Sequence, residues 1–405
     1  MSLPGSLLAD VLDSLDLSRA EPGIGFLEAL FARFNARVPF ENASKILRHA
    51  EVEELDAKPR TPGIFWAEHL ERGTGGTCFA RVAAFDALLS ELGFSSRRVL
   101  GRVEEDADHA ALMVQTPAGE ILADVGFPLA VLLPTSPATV ETPLGDLRVE
   151  RTARGLRVRF LGGVPEGPRS LEVFDATASP EEYEALWRRT FRAESRFLRR
   201  VGLRRDLGHR GVSFAAGEVR VDDRHSRLRV PILGRRDRAL AELFGIDAEV
   251  LARAFSIVGD PEPTIGEARL TAYLQVDATP SEAFGAIASP AGYRRLSSGV
   301  ADVLGEEETA SGFRLRLSPP GASQDEALEE EVAVDLATRR LSIERRLAGS
   351  SFRSAYKVYE RDGATTLLRE ATLSGPREDL LRNDSLRGRL AGTLAVDLLA
   401  WARML

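Results

Sequence analysis

Cysteine is the rarest residue of this sequence, with Cys78 the only one in 405 residues. A single cysteine excludes an internal disulfide, which is typical of proteins from a reducing compartment. Long apolar runs are also missing, since no stretch approaches the ~20 residues of a membrane-spanning helix. The first residues lack the basic start and apolar core of a signal peptide. We therefore expect a cytoplasmic protein with no membrane partner.

An excess of positive charge is absent as well. The 53 lysines and arginines are outnumbered by 61 acidic residues, and the net charge is −8. This balance disfavours nucleic acid as a partner, because nucleic acids select basic surfaces. Metal-ligand spacing is also lacking, so no metal is expected. The histidines that pair with no second ligand, and that are expected at the surface or on helix flanks, are His49, His69, His209 and His225.

The residues around Cys78 are those that a nucleophile requires. Gly75 and Gly76 precede it and leave room for backbone and substrate to approach the sulfur. Thr77 is predicted to cap a buried helix that runs to Gly93, which places Cys78 in the first turn. The partial positive charge of a helix N-terminus favours a thiolate there. The alternative for a lone cysteine is a small buried hydrophobic residue.

A histidine and an aspartate follow on two predicted strands. His109 enters the first strand and Asp124 ends the second, with a Pro- and Gly-containing turn between them. A hairpin brings such residues side by side across the two strands. Cysteine, a histidine that takes its proton and an acid that orients the histidine form an acyl-transfer triad.

Several segments in order resemble the arylamine N-acetyltransferases, over residues 1–258. The segments that carry the resemblance are Val38-Pro39-Phe40-Glu41-Asn42, Gly75-Gly76-Thr77-Cys78-Phe79, the leucine-rich run that ends in Gly93-Phe94, His109 at the start of a strand, Asp124-Val125-Gly126-Phe127, and Leu243-Phe244-Gly245-Ile246. The chain differs from the family pattern at Thr74, Ala80 and Pro128.

This resemblance implies an α+β, cysteine-protease-like N-acetyltransferase fold: a helical bundle (1–95), a β-barrel (96–175) and an α/β lid (176–258). It implies an acyltransferase with Cys78, His109 and Asp124 as catalytic residues and no bound cofactor. Acetyl-CoA or another acyl thioester would be the co-substrate, and a small-molecule amine the acceptor.

Further residues near the site take roles from the same resemblance. Phe40, Gly126 and Phe127 would bind substrate. Glu41 is expected to pair with Arg72, with the loop that contains Gly75 and Gly76 bulging outward.

Residues 259–263 form a proline-containing linker, after which the pattern restarts. Residues 264–405 show a strand, short helices, a run of strands and a long helix over 380–404. This order resembles the helix-grip fold of START-like, polyketide-cyclase-type (SRPBCC) domains, which implies a cavity for a hydrophobic ligand. The acidic run 329–331 is expected to be a solvated strand edge or turn.

Two other functions remain open from the residues. A transglutaminase-like cysteine hydrolase or an amide-forming cyclase uses the same triad with another acyl group. An inactive scaffold beside a ligand-binding C-terminal domain is a different class, which an intact triad argues against.

Overall fold

In the computed structural model the chain forms two compact units. The first comprises residues 1–161, 166–224 and 234–262, and the second comprises residues 162–165, 225–233 and 263–405. The residues that the structure describes are 5–103, 107–127, 129–161, 170–208, 210–232, 236–259, 267–297, 302–318, 328–347, 350–361, 363–374, 401 and 404–405.

The first unit opens with helices. They are α1 (Gly5–Ser14), α2 (Ile24–Arg37), α3 (Ala43–Glu51), α4 (Pro62–Arg72) and α5 (Cys78–Glu91), with the short strand β1 (Phe40–Glu41) and a 3-10 turn (Leu55–Ala57) between them. The apolar stripes of α1 and α2 are buried, as their spacing predicts. Helix α5 is buried on almost every side and is the central element of this part.

An antiparallel sheet forms the next part. Its strands are β2 (Ser96–Val103), β3 (Ala107–Thr116), β4 (Gly119–Ala123), β5 (Leu133–Pro134), β6 (Ala138–Val140), β7 (Asp146–Thr152), β8 (Gly155–Leu161) and β9 (Ser170–Thr177). The strand order is β5-β4-β3-β2-β9-β8-β7-β6, in a nearly closed barrel. The predicted small barrel is therefore present.

The remainder of the first unit is mixed. It contains α6 (Pro180–Arg189), a 3-10 turn (Arg196–Leu198), β10 (Leu203–Asp206), β11 (Gly211–Ala215), β12 (Glu218–Asp222), α7 (Arg236–Phe244) and α8 (Ala248–Val258). Helix α6 ends at Arg189, and the 3-10 turn follows it. After α6, Thr190 and Phe191 contact Lys45, and Phe197 contacts Phe40.

The core of the first unit is built on aromatic contacts between α2, α4 and α5. The ring of Phe34 lies 5.7 Å from Trp66 and 4.8 Å from Phe85, between ring centres. All three side chains are fully buried. Edge-on and tilted ring pairs of this kind stabilise a core beyond their buried area. They fix α5, and with it Cys78, against the rest of the bundle.

The described residues of the second unit form an antiparallel sheet with two short helices. Its elements are β13 (Ser226–Pro231), β14 (Glu267–Val276), α9 (Pro280–Gly285), α10 (Pro290–Ser297), β15 (Asp302–Thr309), β16 (Gly312–Ser318), β17 (Leu328–Asp335), β18 (Arg340–Leu347), β19 (Ser350–Arg361) and β20 (Ala364–Ser374). The strand order is β13-β14-β20-β19-β18-β17-β16-β15. No helix in the described part of the chain is long and apolar enough to cross a membrane.

Two expectations about this unit have different outcomes. The helix predicted over 380–404 lies almost wholly outside the described residues; Trp401 is described, buried, and donates from its ring nitrogen to the Ala283 carbonyl at 2.8 Å. The expectation of a solvated run at 329–331 is wrong for Glu330. That side chain is fully buried in β17 and accepts a hydrogen bond from the Tyr293 hydroxyl at 3.0 Å.

Candidate active site

Cys78 is the first residue of α5 and is 6% exposed. Thr77 occupies the N-cap position in an extended conformation, as expected, but its side chain makes no capping hydrogen bond. The predicted cap interaction is therefore wrong. The first N–H groups of α5 are therefore not capped by Thr77, and they carry the positive end of the helix dipole.

The β3–β4 hairpin brings His109 and Asp124 together, as the sequence predicts. Leu112 pairs with Ala123 in this hairpin, and Asp124 follows directly. Nε2 of His109 lies 2.8 Å from Oδ2 of Asp124, and both side chains are buried. The other carboxylate oxygen, Oδ1, accepts a hydrogen bond from the Phe127 backbone N–H at 2.7 Å. Both oxygens of Asp124 are thus occupied, which fixes the orientation of the imidazole.

The imidazole of His109 carries a proton readily in this setting. Burial alone lowers its pKa, but the charge and hydrogen bond of Asp124, together with those of Cys78, raise the pKa to about 10. The pairing with two groups that become negative outweighs the desolvation of the cation. The arrangement therefore favours an imidazolium beside an acid and a sulfur.

Gly126, in the turn after Asp124, lies very close to Cys78 and His109. A Cβ at this position would lie 2.3 Å from the Ala110 carbonyl oxygen, 2.9 Å from Cβ of Cys78 and 3.1 Å from Cε1 of His109. Only glycine fits at such distances. The turn after Asp124 consequently packs against both Cys78 and His109.

Arg81 is a residue of this region that the sequence analysis missed. Its guanidinium is fully buried and donates to the carbonyl of Val125 at 2.7 Å, to Oδ1 of Asn35 at 2.8 Å, and to the carbonyl of Val38. Burial lowers its pKa to about 9, and the charge of Asp124 opposes this most strongly. A single arginine inside the apolar stretch after Cys78 is the signal that could have identified it.

The loop before Cys78 is held from three sides. A Cβ at Gly75 would lie 1.8 Å from the Pro39 carbonyl oxygen, so a side chain is excluded there. Arg60, which is buried, donates to the Gly75 carbonyl. Nδ1 of His69 lies 2.9 Å from the Thr74 carbonyl, and burial lowers the pKa of His69 to about 4, so the neutral ring donates this bond. His69 is thus a buried structural residue and not a surface histidine.

The predicted pairing of Glu41 with Arg72 is wrong. The buried Glu41 carboxylate accepts hydrogen bonds from the backbone N–H and the hydroxyl of Ser44. Arg72 is 45% exposed and its ion-pair partner is Glu71, at 3.6 Å. Arg72 is the last residue of α4, where Gly73 turns the chain in a left-handed conformation. Glu41 is one of the carboxylates whose charge acts on the buried guanidinium of Arg81.

The predicted substrate residues are half-buried aromatic side chains and one glycine. Phe40 forms a backbone bridge to Gly76, and its ring lies 5.9 Å from that of Phe197. The ring of Phe127 lies 5.4 Å from that of Phe160. Both residues flank the segments that carry Cys78 and Asp124. Their role in binding substrate stays a prediction.

Lys45 is the second residue that the sequence analysis missed. It lies on α3, is 4% exposed, and its charge interacts with Cys78. Lysine is otherwise almost absent here, since only Lys58 and Lys357 accompany it. A rare lysine directly after the segment that contains Phe40 is the signal that could have identified it.

Part of the chain is similar in sequence to known proteins. A family model described as N-acetyltransferase matches residues 24–155. An arylamine N-acetyltransferase of Mycolicibacterium smegmatis is 34% identical over 162 residues, which are 37% of this chain and 54% of that protein. One of Escherichia coli (strain K12) is 33% identical over 115 residues, which are 27% of this chain and 38% of that protein. The chain spans about half, or less, of the length of these curated relatives.

Solved structures extend the likeness at the level of the fold. The M. smegmatis arylamine N-acetyl transferase matches with a TM-score of 0.54 at 21% identity, covering 62% of this chain and 98% of that one. The Mycobacterium marinum arylamine N-acetyltransferase in complex with CoA matches with a TM-score of 0.53 at 20% identity, over the same shares. Over that part, the fold is the one that the sequence predicts.

Proposed function

We propose that this protein is an acyltransferase that moves an acyl group from a thioester to an amine through Cys78, His109 and Asp124. The observation that carries the proposal is the buried His109–Asp124 pair, joined to Cys78 at the start of α5 by the close packing of Gly126. The family match over residues 24–155 and the arylamine N-acetyltransferase fold support the same reaction class.

In the first half-reaction, Cys78 attacks the carbonyl carbon of the acyl thioester. His109 takes the proton of the Cys78 thiol, and the resulting imidazolium is stabilised by Asp124. The bond between Sγ and the acyl carbon forms as the donor's carbon–sulfur bond breaks. His109 then gives its proton to the departing thiolate. Backbone N–H groups at the start of α5 are suited to stabilise the oxyanion of the intermediate.

In the second half-reaction, an amine attacks the acyl group on Cys78. His109 accepts a proton from the attacking nitrogen as the new carbon–nitrogen bond forms. The Cys78 thiolate leaves and the amide is released. Asp124 holds the imidazole in one orientation throughout, so the same nitrogen of His109 serves both steps.

Acetyl-CoA is the donor that the comparisons suggest, since a structural relative is described in complex with CoA. An arylamine is the acceptor suggested by the names of the relatives. Phe40 and Phe127 are half-buried aromatic side chains at the edge of the site, and they suit a flat acceptor ring.

For the second unit, binding of a hydrophobic molecule and a helix-grip fold remain our proposals. A cavity of about 360 Å³ lies on its sheet, and its lining includes Glu331, Arg340, Glu344 and Arg353. Charged side chains do not suit an apolar ligand, so this cavity lends the proposal no support.

The acyltransferase proposal is tested by incubating the full chain with acetyl-CoA and other acyl thioesters, followed by intact mass spectrometry. We expect a single acyl adduct on Cys78 that disappears when an arylamine is added, with formation of the amide. Cys78→Ala should give no adduct while its circular dichroism stays unchanged. An adduct that water removes as fast as an amine does would indicate a hydrolase, and no adduct with any thioester would reject the proposal.

A further inference from the structure

Arg81 lies on α5 three residues after Cys78, and residues three apart are neighbours on the surface of a helix. Its side chain is fully buried, with the guanidinium carbon 4.7 Å from the ring centre of Phe34. An arginine inside a protein is rare, because its charge loses its hydration there. A residue this costly, one turn from the nucleophile, is expected to do more than fill the core.

The first segment that Arg81 holds is the turn after β4. Its Nε donates to the carbonyl of Val125, the residue after Asp124, at 2.7 Å. Another of its N–H groups donates to Oδ1 of Asn35 at 2.8 Å, and the Asn35 amide donates to the Leu129 carbonyl at 3.1 Å. Arg81 and Asn35 together therefore hold this turn near both of its ends.

The position of this turn sets the geometry of the catalytic side chains. Oδ1 of Asp124 accepts from the Phe127 N–H at 2.7 Å, and Oδ2 lies 2.8 Å from Nε2 of His109. Gly126, in the same turn, is so close that an added Cβ would lie 2.9 Å from Cβ of Cys78 and 3.1 Å from Cε1 of His109. A shift of the turn would therefore move Asp124 relative to both other members of the triad.

The second segment that Arg81 holds follows α2. A further N–H group of the guanidinium donates to the Val38 carbonyl. The carbonyl of the next residue, Pro39, accepts from the Gly76 N–H at 3.4 Å, and a Cβ at Gly75 would lie 1.8 Å from the same oxygen. These glycines belong to the loop that leads to the nucleophile. One guanidinium thus connects the segment that packs on this loop with the turn that carries the acid.

The charges around Arg81 fit the same role. The carboxylates whose charge acts on it are Asp124, most strongly, then Glu41 and Asp206. Asp124 thus interacts with Arg81 through its charge and with His109 through a hydrogen bond. Arginine also presents its donors in a rigid planar fork, so it can fix several acceptors at once, which lysine cannot do.

We propose that Arg81 is a positioning residue, which fixes the turn that carries Asp124 relative to Cys78 and so keeps the imidazole of His109 aligned with the sulfur. The proposal rests on the acyltransferase function proposed above and adds to it the residue that holds the triad in place. Because its side chain is fully buried, Arg81 acts through these segments and takes no part in bond making.

The test separates the rate of the reaction from the binding of the donor. Intact mass spectrometry follows single-turnover acylation of Cys78 in the full chain at several acetyl-CoA concentrations, which gives a maximal rate constant and a half-saturation concentration. We expect Arg81→Met to lower the rate constant about 100-fold and to change the half-saturation concentration by no more than about twofold, the result of misplacing reacting groups by about 1 Å. Arg81→Lys keeps the charge without the fork of donors and should recover only part of the loss.

Asn35→Ala is a second variant that tests the proposal even if Arg81→Met fails to fold. It removes an acceptor of Arg81 and the donor to the Leu129 carbonyl, so it should lower the same rate constant at least about tenfold. If both side chains act on one turn, the double variant should be no slower than the slower single variant, because effects within one network do not add. A double variant whose loss is the product of the two single losses would overturn the proposal.

Arg48→Met is the matched control. Arg48 also holds a loop through backbone carbonyls, those of Lys58 at 2.8 Å and Ala57 at 2.7 Å, but this loop precedes α4. Its rate constant should stay within about twofold of that of the wild type, because hydrogen bonds lost there affect stability and not the alignment of the triad. A loss as large as that of Arg81→Met would show that any weakened loop slows the reaction.

Alkylation of Cys78 by iodoacetamide is a readout that needs no acyl transfer. At about pH 7 a free thiol reacts slowly, so rapid alkylation of the wild type reports the thiolate that His109 creates. Arg81→Met should slow alkylation together with acylation. If it does so while no thioester acylates the wild type, the acyltransferase function fails and the positioning role stands. A folded Arg81→Met protein that matches the wild type in both rates, or that changes only the half-saturation concentration, overturns the role of Arg81.

Discussion

Asp124 forms a hydrogen bond with the buried imidazole of His109. Replacing Asp124 therefore tests whether the orientation of this imidazole matters for the reaction. In Asp124→Asn the amide keeps the shape, but it can donate to His109 Nε2 and so favour the wrong tautomer. We expect the acylation rate of Cys78 to fall about a thousandfold or more. The measurement is single-turnover acylation followed by mass spectrometry.

Asp108 supplies the matched control for this variant. It adjoins His109 in sequence, but it is exposed and its ion pair is with Arg189. Asp108→Asn should change the rate by no more than about twofold, as is usual for a surface ion pair. Equal losses in the two variants would mean that the effect is one of general charge and not of imidazole orientation.

His109 should make the stability of the protein depend on pH in a defined direction. Its pKa is raised from 6.5 to about 10 on folding, so the folded state holds the proton more tightly than the unfolded state. The stabilisation is fully present below about pH 6.5 and is lost as pH rises towards 10. His109→Gln, which cannot be protonated, should therefore be most destabilised relative to wild type at low pH.

Urea unfolding of the wild type and His109→Gln near pH 6, pH 8 and pH 10 measures this difference. The gap in the free energy of unfolding should shrink steadily across the series. A gap that is constant, or that widens as pH rises, would contradict the raised pKa of His109.

At the scale of elements, Arg81 joins helix α5 to the loop after β4 and to the end of α2. It does so through the carbonyls of Val125 and Val38 and the side chain of Asn35. Arg81→Leu would leave these acceptors buried without a donor and remove a positive charge near Asp124. We expect a loss of about 3–5 kcal/mol in the free energy of unfolding, the usual result of breaking one side of a buried charged network.

Arg33→Leu is the comparison for Arg81→Leu. Arg33 forms an ion pair with Asp16 at 3.3 Å, with side chains that are 46% and 65% exposed. Such a pair contributes about 0–1 kcal/mol. Thermal and urea unfolding measure the loss of stability in both variants. Equal small losses in the free energy of unfolding would show that the hydrogen bonds of Arg81 do not stabilise the fold.

At the scale of the whole molecule, the two units are not consecutive in sequence. Residues 225–233 belong to the second unit, but residues 234–262, which follow them, belong to the first. Strand β13 precedes α7 and α8 in sequence, yet it pairs with β14, with Leu228 opposite Leu270. A cut at the linker 259–263 would therefore remove one strand from the sheet of the second unit. Exposed strand edges are sites of aggregation.

We expect a fragment of residues 264–405 to aggregate or to unfold at low denaturant concentration. A fragment in which 225–233 is joined to 264–405 by a flexible glycine–serine linker should be monomeric and more stable. Light scattering and urea unfolding distinguish the two. Equal stability without the extra strand would show that β13 is dispensable.

Much of the local structure could be predicted because it depends on neighbours in sequence. The β3–β4 hairpin follows from two strand-like runs around a turn, and that alone places His109 beside Asp124. The helix after Cys78 follows from apolar spacing that ends at Gly93, whose φ is indeed +85°. The fold of the first part was expected from the resemblance of several segments, in order, to the arylamine N-acetyltransferases.

The charged partners could not be predicted, because burial and pairing are set by packing between distant segments. The family resemblance suggested a pair of Glu41 and Arg72, but the end of α4 leaves Arg72 in solvent. The fully buried arginine of this region is Arg81, which bonds to Val125, Val38 and Asn35. Lys45 is buried where Thr190, Phe191 and Phe197, which follow the end of α6, contact it.

The sequence by itself therefore placed Cys78 at the start of a helix and His109 beside Asp124 on a hairpin, since turn residues and apolar periodicity encode these features locally. Tertiary structure decided which charges are buried and to which unit the strand Ser226–Pro231 belongs. Free energies of desolvation and strand pairing depend on atoms that are far apart along the chain, and only the folded packing brings those atoms together.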